Sequence, residues 1–483
     1  MDNPARASAT ELVAAIRRRE IGSEELLDIY LERYRRLNGP INAVVATDLE
    51  AARARARAAD TATARGESWG PLHGLPMTVK EAFEVVGMPC TSGSPTLLDH
   101  RPARHATAVE RLVEAGAVIW GKTNIPLWTG DFQSFNQVYG TTNNPWDLAR
   151  GPGGSSGGSA AALAAGLTPL ELGSDIGGSI RNPAHFCGVA GLKPSFGIVP
   201  IRGHIPGPPG HLTSPDIGVA GPMARTVDDL ELELGVIAGA DAYDAPGWKL
   251  DLAPPRHRRL GDYRVAVWAE DPFCHVDPGV QALIEQAAEA LADGGATVLH
   301  GARPDFTLRE AHEVFYMLLA AEMGAPLPEA MRRRMRENPP AADASDHPSI
   351  FARGAVMDHA AWLDWNERRM GMRDAWRRFF GEVDVLLCPV MPRAAFPHDQ
   401  AANFQSRRVM IDGQSRDYVD MIVWCGLVGG SWLPSAVVPV GLTTEGLPVG
   451  VQVVANFLED RTALDVARHI ERALGGLVPP GYE

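Results

Sequence analysis

One glycine- and serine-rich stretch, residues 151–193, constrains the fold of this chain more than any other segment. It reads GPGGSSGGSAAALAAGLTPLELGSDIGGSIRNPAHFCGVAGLK, with Gly-Gly-Ser turns at 153–155 and 177–179 around a small-residue, apolar segment. Glycine lets the backbone turn tightly and direct its N–H groups toward one point. A serine that ends such a turn can act as a nucleophile while neighbouring amides stabilise an oxyanion. The stretch therefore predicts acyl-transfer chemistry on a turn–helix–strand–turn unit.

Lys80 is the candidate base for this chemistry. A lysine takes up a proton only when it is neutral, and its reference pKa is about 10.4. Burial can lower a lysine pKa by about 3–5, which is enough to bring it to about 7. Val79 and the apolar residues around Lys80 favour such burial. The fourteen histidines include His73, His204 and His211 near motifs, but no spacing sets one against a serine as a Ser-His-Asp triad requires.

Two shorter matches to catalytic motifs lack the structural context that they need. Residues 116–123, GAVIWGKT, fit the Walker A expression, but the four variable positions read as a strand rather than a phosphate-binding loop. Residues 153–157, GGSSG, fit the nucleophile elbow of α/β-hydrolases, but the residues before them form a loop rather than a buried strand. Both interpretations are therefore disfavoured.

A third pattern extends over nearly the whole chain. Its segments are GLPMTVK at 74–80, GKTN at 121–124, GGSSGG at 153–158, DIGGSIR at 175–181, Pro183, Cys187-Gly188, GLKP at 191–194, GPMAR at 221–225 and LPVGVQ at 447–452. With these motifs in this order, the chain resembles the amidase signature family of serine hydrolases. A run of this length is highly specific, and the resemblance is weak only near residues 305–380.

The resemblance implies a Ser-Ser-Lys catalytic triad that works without histidine. In this resemblance Lys80 aligns with the general base, and Ser155 aligns with the bridging serine that follows a cis peptide bond. Ser179 aligns with the nucleophile that forms the acyl-enzyme. The oxyanion hole falls on the backbone amides of Ile176, Gly177, Gly178 and Ser179.

Three further residues support the site in the same resemblance. Asp175 and Arg181 occupy positions of an ion pair that holds the second turn. A purely structural role for Arg181 is an equal alternative, because ion pairs often serve only to hold a loop. Ser156 is the nearest rival to the two candidate serines, but we expect it instead to support the first turn through a hydrogen bond.

The order of predicted elements is that of a mixed α/β chain. The resemblance implies a mixed, mostly parallel β-sheet core covered by helices on both faces, in a single domain over 1–483. Within it we expect N-terminal helices at 1–65, a catalytic core at 70–235, and a helical insertion at 305–380 that lines the substrate pocket. Residues 201–215 are too rich in proline and glycine for regular structure.

Local signals add detail to this organisation. Thr10 and Ser23 are predicted to cap the first two helices, since short hydroxyl side chains favour that position. A strand is predicted over 169–172, and residues 221–226 are interpreted as a lead into a helix that begins near Val227.

Composition restricts the partners of the chain. Its 45 basic and 59 acidic residues give a net charge of −14, which disfavours nucleic acid. Five scattered cysteines without CxxC spacing indicate a reducing compartment and no zinc site. The sequence shows no signal peptide and no long apolar run, so we expect a cytoplasmic protein without a membrane segment. Neither a metal nor an organic cofactor is expected, and a two-fold homodimer is the default assembly.

The favoured function is an amidohydrolase that cleaves the carbon–nitrogen bond of linear carboxamides, with side activity on aryl amides, esters and carbamates. The alternative is the glutamine-hydrolysing A subunit of a tRNA-dependent amidotransferase, which needs a polar pocket for glutamine. Residues 125–133 and 201–215 instead predict an apolar entrance to the substrate pocket. A non-enzymatic binding module finds no support, because all three triad positions carry the required residue types.

Overall fold

The computed structural model of the protein describes residues 3–205 and 209–482. The part of the predicted irregular loop at 206–208 lies outside the described residues, and its remaining residues form no helix or extended ladder strand. The helices are α1 (Ala9–Arg17), α2 (Ser23–Ile41), α3 (Leu49–Ala64), α4 (Thr107–Glu114), α5 (Gly157–Ala164), α6 (Arg181–Cys187), α7 (Val227–Ile237), α8 (Pro278–Asp293), α9 (Leu308–Gly324), α10 (Glu329–Glu337), α11 (His347–Gly354), α12 (His359–Glu382), α13 (Val423–Gly429) and α14 (Asp460–Leu474).

Most strands belong to one large sheet. The strands are β1 (Val44–Thr47), β2 (Pro76–Lys80), β3 (Val118–Thr123), β4 (Phe135–Asn136), β5 (Gly140–Thr141), β6 (Leu170–Asp175), β7 (Ala190–Lys193), β8 (Val219–Ala224), β9 (Arg264–Val267), β10 (Thr297–Leu299), β11 (Val385–Pro389), β12 (Arg408–Ile411), β13 (Gln414–Asp417), β14 (Ser435–Leu442) and β15 (Pro448–Val454). Eleven of them form the sheet in the order β1-β3-β2-β6-β8-β7-β14-β15-β11-β9-β10, while β4–β5 and β12–β13 are separate hairpins.

The predicted mixed α/β fold is confirmed. Parallel pairing occurs in two blocks, β3–β2–β6 and β11–β9–β10. The strands between these blocks, and β1 at one edge, pair antiparallel. Helices α3, α5, α6, α7, α8 and α14 pack on this sheet, whereas α9 packs on other helices.

The first two helices do not begin as the sequence suggests. Ser8, not Thr10, caps α1: its hydroxyl accepts from Glu11 N–H, and the Glu11 carboxylate accepts from Ser8 N–H at 2.9 Å. The Thr10 hydroxyl instead donates to Asp229 at 2.8 Å, which ties α1 to α7. Ser23 is already the first residue of α2, and its hydroxyl donates to a distant carbonyl. The hydroxyls of Thr10 and Ser23 therefore bond to distant partners, while Ser8 and Gly22 occupy the N-cap positions of the two helices.

Helix α5 lies inside the molecule, between the sheet and α6. All eight of its residues are buried, which suits the small side chains of this segment. Gly158 permits the closest approach, because a Cβ there would lie 2.3 Å from Asn124 N. The predicted helical insertion corresponds to α9–α12, and α9 packs on α13 through Phe315. These contacts place α5, α6, α9 and α13 around the same part of the sheet.

Candidate active site

Lys80 is the last residue of β2 and lies at the centre of a group of serines. Its Nζ is 2.7 Å from Ser155 Oγ, 2.9 Å from Ser156 Oγ and 2.8 Å from Ser174 Oγ. The side chain is completely buried, since β2 lies inside the sheet between β3 and β6 and α5 packs on these strands. Burial lowers the pKa of Lys80 to about 7, although Asp175 and Glu171, both on β6, act in the opposite direction. The amine is therefore available in its neutral form near neutral pH.

Ser155 is held by the first glycine turn. The Gly154–Ser155 peptide bond is cis, as the family resemblance implies. The Ser134 hydroxyl donates to Gly153 O at 3.0 Å and accepts from Gly157 N–H at 3.1 Å, so one side chain braces both ends of the turn. Ser155 itself is 1 % exposed.

Ser179 lies on the second turn, between β6 and α6. The N–H of Ser156 donates to Ser179 O at 3.1 Å, which joins the two turns directly. Ser179 is 8 % exposed and is thus more accessible than Ser155. Among residues 3–205 and 209–482, no hydrogen bond links the Ser155 and Ser179 hydroxyls. The structure thus brings Lys80 and Ser155 into contact and places Ser179 on the adjoining turn.

The four amides of the second turn are not equivalent. The Gly178 N–H donates to Asp175 Oδ1 at 2.8 Å. The N–H groups of Ile176, Gly177 and Ser179 make no hydrogen bond with any residue that the structure describes. Gly178 has a φ of +115°, and a Cβ there would lie 2.7 Å from Cys425 Sγ. Glycine is therefore required for the turn to take this shape against α13.

An ion pair beneath the turn sets its geometry. Asp175 and Arg181 are both completely buried, and Arg181 donates to the two Asp175 oxygens at 2.8 and 3.0 Å. Burial alone would raise the pKa of Asp175, but the charge and hydrogen bonds of Arg181 outweigh it and lower the pKa to about 2. Arg181 also donates to Cys425 O at 2.9 Å and to Gln452 Oε1 at 2.8 Å. The turn is thereby fastened to α13 and β15.

Replacing Arg181 with methionine is expected to lower the free energy of unfolding by about 3–5 kcal/mol at pH 7. The change leaves the buried Asp175 carboxylate without a positively charged partner, which costs about that much. Urea unfolding followed by tryptophan fluorescence measures the loss. Arg377→Met, which breaks an exposed pair with Asp374, is the matched control and should change stability by less than about 1 kcal/mol. Equal effects of the two changes would contradict this account.

Two polar residues near Lys80 were missed from the sequence. Ser174, in β6, contacts Lys80 through its hydroxyl and also, at 3.3 Å, through its carbonyl oxygen. His204 Nε2 lies 2.8 Å from Ser174 Oγ. Ser174 is a small polar residue one position before the end of a buried strand, and that was the only signal available. His204 contacts neither candidate catalytic serine among the described residues.

Apolar side chains border the second turn on one side. A Cβ on Gly177 would lie 2.6 Å from Ile422 Cδ1 and 3.8 Å from Phe315 Cζ. Both side chains belong to one buried cluster, which Ile176 joins at its edge. Phe315 comes from the helical insertion, so the insertion contacts the turn that carries Ser179.

The described part of the 201–215 loop leads into a second link with the insertion. Arg369 of α12 donates to both carboxylate oxygens of Asp216, at 2.6 and 3.1 Å, and is 1 % exposed. The Trp432 indole N–H donates to Asp216 O at 3.1 Å, and its ring lies 4.4 Å from the Arg369 guanidinium carbon. The segment that follows the loop is therefore fixed against α12.

Other candidate features offer no obvious chemistry. Within the described ranges, no group of three or more histidine, cysteine, aspartate or glutamate side chains is arranged to hold a metal ion. The five cysteines are buried and unpaired. None of the described helices is both long and apolar enough to cross a membrane.

Comparisons with known proteins find similarity along nearly the whole chain. The family model described as Amidase matches residues 25–464. The A subunit of the glutamyl-tRNA(Gln) amidotransferase of Anaeromyxobacter sp. (strain K) is 35% identical over 502 residues, covering 98% of each chain. A chain from a vestigial protein complex that reveals the evolutionary origins of an s-triazine catabolic enzyme superposes with a TM-score of 0.80 and 30% identity, covering 98% of this chain and 100% of that one. A bacterial aryl acylamidase of the amidase signature family superposes with a TM-score of 0.80 and 26% identity, covering 97% and 96%.

Proposed function

The chain belongs to the amidase family and is a hydrolase of carbon–nitrogen bonds in amides, and on this premise we propose that it cleaves linear carboxamides through an acyl-enzyme on Ser179. The observation that carries the proposal is the buried Lys80 amine, with a pKa of about 7, in contact with Ser155 beside the Ser179 turn. A base needs a pKa near the working pH to take up and return a proton efficiently.

In the proposed mechanism Ser179 Oγ attacks the amide carbonyl while its proton passes through Ser155 to Lys80. Lys80 and Ser155 then return a proton to the leaving amine, and water hydrolyses the ester. The hydroxyl contact between Ser155 and Ser179 is expected to form with substrate bound, since catalytic hydrogen bonds are often long without it. No step calls for a metal or an organic cofactor.

The oxyanion of the tetrahedral intermediate is proposed to bind the N–H groups of Ile176, Gly177 and Ser179. These groups are free of other hydrogen bonds in the described residues, whereas Gly178 N–H is engaged by Asp175. Each such donor contributes on the order of 10²–10³-fold to the rate. Gly178 thus shapes the turn, and the ion pair below it keeps the donors converging.

The surroundings of the turn support a weakly polar substrate. Phe315 and Ile422 pack on Gly177, so we propose that the insertion forms part of the acyl pocket. Asp131, whose carbonyl oxygen lies 2.4 Å from the position of a Cβ on Gly154, directs its carboxylate to Arg407 at 2.6 Å. That carboxylate is therefore neutralised within the protein rather than free to bind the amine of an amino-acid substrate.

A second candidate is the glutamine-hydrolysing component of an amidotransferase. The curated relatives favour it over the first, because the relative from Anaeromyxobacter sp. (strain K) carries that name and matches this chain along nearly its full length. In that case the chain would act with partner proteins and pass ammonia to them. The first candidate instead requires only a small-molecule amide, ester or carbamate.

Turnover by the purified chain alone distinguishes the two candidates. We expect hydrolysis of aryl and aliphatic amides, with slower or comparable turnover of esters and carbamates, and no competition by glutamine at about 10 mM. Product amine and ammonia are measured separately for the wild type and Ser179→Ala. Release of ammonia from glutamine with no turnover of the other amides would select the second candidate.

We further propose that the chain works as a single domain in a cytoplasmic, reducing compartment. The continuous eleven-stranded sheet and the unpaired cysteines of the described residues support this. Neither nucleic acid nor membrane is proposed as a partner of the first candidate, and a two-fold homodimer remains the default assembly.

A further inference from the structure

The loop that carries His204 is paired with the chain segment that follows Lys80. Ile205 N–H donates to Ala82 O at 2.9 Å. The His204 ring lies edge-on to the Phe83 ring, with centroids 4.9 Å apart. The imidazole is therefore fixed in place at the end of β2, although it lies outside the proposed triad.

A single hydroxyl connects His204 to Lys80. Ser174 Oγ lies 2.8 Å from His204 Nε2 and 2.8 Å from Lys80 Nζ. Burial, followed by repulsion from Lys80, lowers the pKa of His204 to about 3. The ring is therefore neutral over the working pH range, and its Nε2 is able to accept a hydrogen bond.

The number of hydrogens around Nζ fixes the direction of each bond. A neutral amine has two N–H donors and one lone pair, and the proposed mechanism requires the lone pair to face the Ser155 hydroxyl. The two N–H groups then donate to Ser156 Oγ at 2.9 Å and Ser174 Oγ at 2.8 Å, which both lie closer than the Ser174 carbonyl oxygen at 3.3 Å. Because Ser174 Oγ accepts from Nζ, its own hydrogen needs another acceptor. His204 Nε2 is within reach at 2.8 Å.

We propose that His204 is a positioning residue, which accepts the Ser174 hydroxyl hydrogen and so keeps the Lys80 lone pair directed at Ser155. The inference rests on the proposed function, since it takes Lys80 as the base. Without an acceptor at position 204, the Ser174 hydroxyl turns to the Lys80 lone pair and competes with Ser155. That bond also favours the neutral amine over the charged one, so the pKa of Lys80 falls.

The other titratable groups near Lys80 make no hydrogen bond with His204 in the described residues. Asp175, on β6, favours the charged lysine. Burial raises the pKa of Glu171, also on β6, to about 8, and its carboxyl group accepts from the Thr78 and Thr123 hydroxyls. The Glu81 carboxylate, next along the chain, accepts from the backbone N–H groups of Thr91 and Ser92 and thus faces away. A displaced pH profile therefore reports on the His204–Ser174 contact.

His204→Phe tests the proposal, because it removes the acceptor and keeps a ring against Phe83. We expect kcat/KM on the best amide substrate to fall about 3- to 10-fold on the alkaline plateau, the value of one hydrogen bond. We also expect the acidic limb of the profile to move to lower pH by about 0.5 or more. His204→Gln retains an acceptor oxygen. It should therefore keep most of the wild-type kcat/KM, and the acidic limb of its pH profile should stay at the wild-type pH.

Matched variants separate positioning from packing. His105→Phe removes another partly buried histidine, which accepts from Val86 N–H but does not contact the serines, and should leave both readouts unchanged. Ser174→Ala should abolish any further effect of His204→Phe. The proposal would be overturned if His204→Phe lowered kcat/KM on the alkaline plateau without moving the acidic limb of the pH profile. It would also be overturned if the losses in kcat/KM were additive in the double variant of Ser174→Ala and His204→Phe. Should His204→Phe fail to fold in a thermal melt, a shifted limb in His204→Gln would overturn it, and an unshifted one with retained rate would support it.

Failure of this inference is distinguishable from failure of the proposed function. If Ser179→Ala retains wild-type turnover, the acyl-enzyme mechanism is wrong and the role of His204 in it falls too. If Ser179→Ala is inactive while His204→Phe matches the wild type at every pH, only the positioning role is wrong.

Discussion

Ser179→Ala is expected to lower amide turnover by about 10³-fold or more while leaving the fold unchanged. The variant loses the only hydroxyl on the turn, residues 176–179, whose free amides are proposed to bind the substrate carbonyl oxygen. Triad members act as a unit, so removal of the nucleophile alone removes most of the catalysis that the triad supplies. The side chain is 8 % exposed and its hydroxyl forms no hydrogen bond with another described residue, so its loss costs little stability.

Steady-state kinetics and covalent labelling measure this effect together. A serine-directed fluorophosphonate should add one group to the wild type, and peptide mass spectrometry should locate it on Ser179. Ser155→Ala tests the bridging role: we expect slow labelling, still on Ser179, because the nucleophile remains while its route to the base is broken. A label on Ser155, or undiminished turnover by Ser179→Ala, would reject the assignment of the nucleophile.

Much of the fold was predictable where local signals and burial agree. The helix at 157–164 and the strand at 170–175 follow from the small-residue and apolar runs of the 151–193 stretch. Helix α6 was missed because Pro183 suggests a break, although proline is tolerated in the first turn of a helix. Strand β8 was missed because it contains Pro222. Its pairing with β7 covers only the last two residues of β8, so Pro222 lacks no donor that β7 needs.

The candidate site was predictable to the extent that its residues lie in motifs. Lys80 and Ser155 are in contact as the resemblance implies. The contact of Ser174 with His204 depends on the sheet order β2–β6 and on a loop that returns along residues 82–84, and no spacing in the sequence encodes either. The engagement of the Gly178 amide by Asp175 likewise depends on the angle of the turn, which the motif letters do not specify.

Lys80→Met is expected to lower kcat/KM by about 10²–10⁴-fold, the usual contribution of general acid–base catalysis. In the wild type, kcat/KM should rise with pH through a midpoint near 7, because burial lowers the pKa of Lys80 to about 7 and only the neutral amine accepts a proton. The residual activity of Lys80→Met should lack this limb. Lys193→Met is the matched control: Lys193 is also buried with a pKa lowered to about 7, but it donates to the carbonyls of Pro194 and Leu433.

Lys80→Met should also stabilise the protein, which separates a catalytic role for Lys80 from a structural one. The folded-state pKa of Lys80 lies below its unfolded value of 10.5. Between about pH 7 and 10.5 the unfolded chain therefore binds more protons, and wild-type stability rises with pH across that window. The lowered pKa costs the wild type folding free energy, and this cost reaches its full size below about pH 7. Methionine removes it. After the lost hydrogen bonds of Nζ are subtracted, we expect a gain of about 1–3 kcal/mol near pH 7 that shrinks toward pH 9. Urea unfolding at pH 6, 7.5 and 9 measures it. A loss of stability of the same size at all three pH values would show that the amine is charged in the folded protein, and the base would then have to be sought elsewhere.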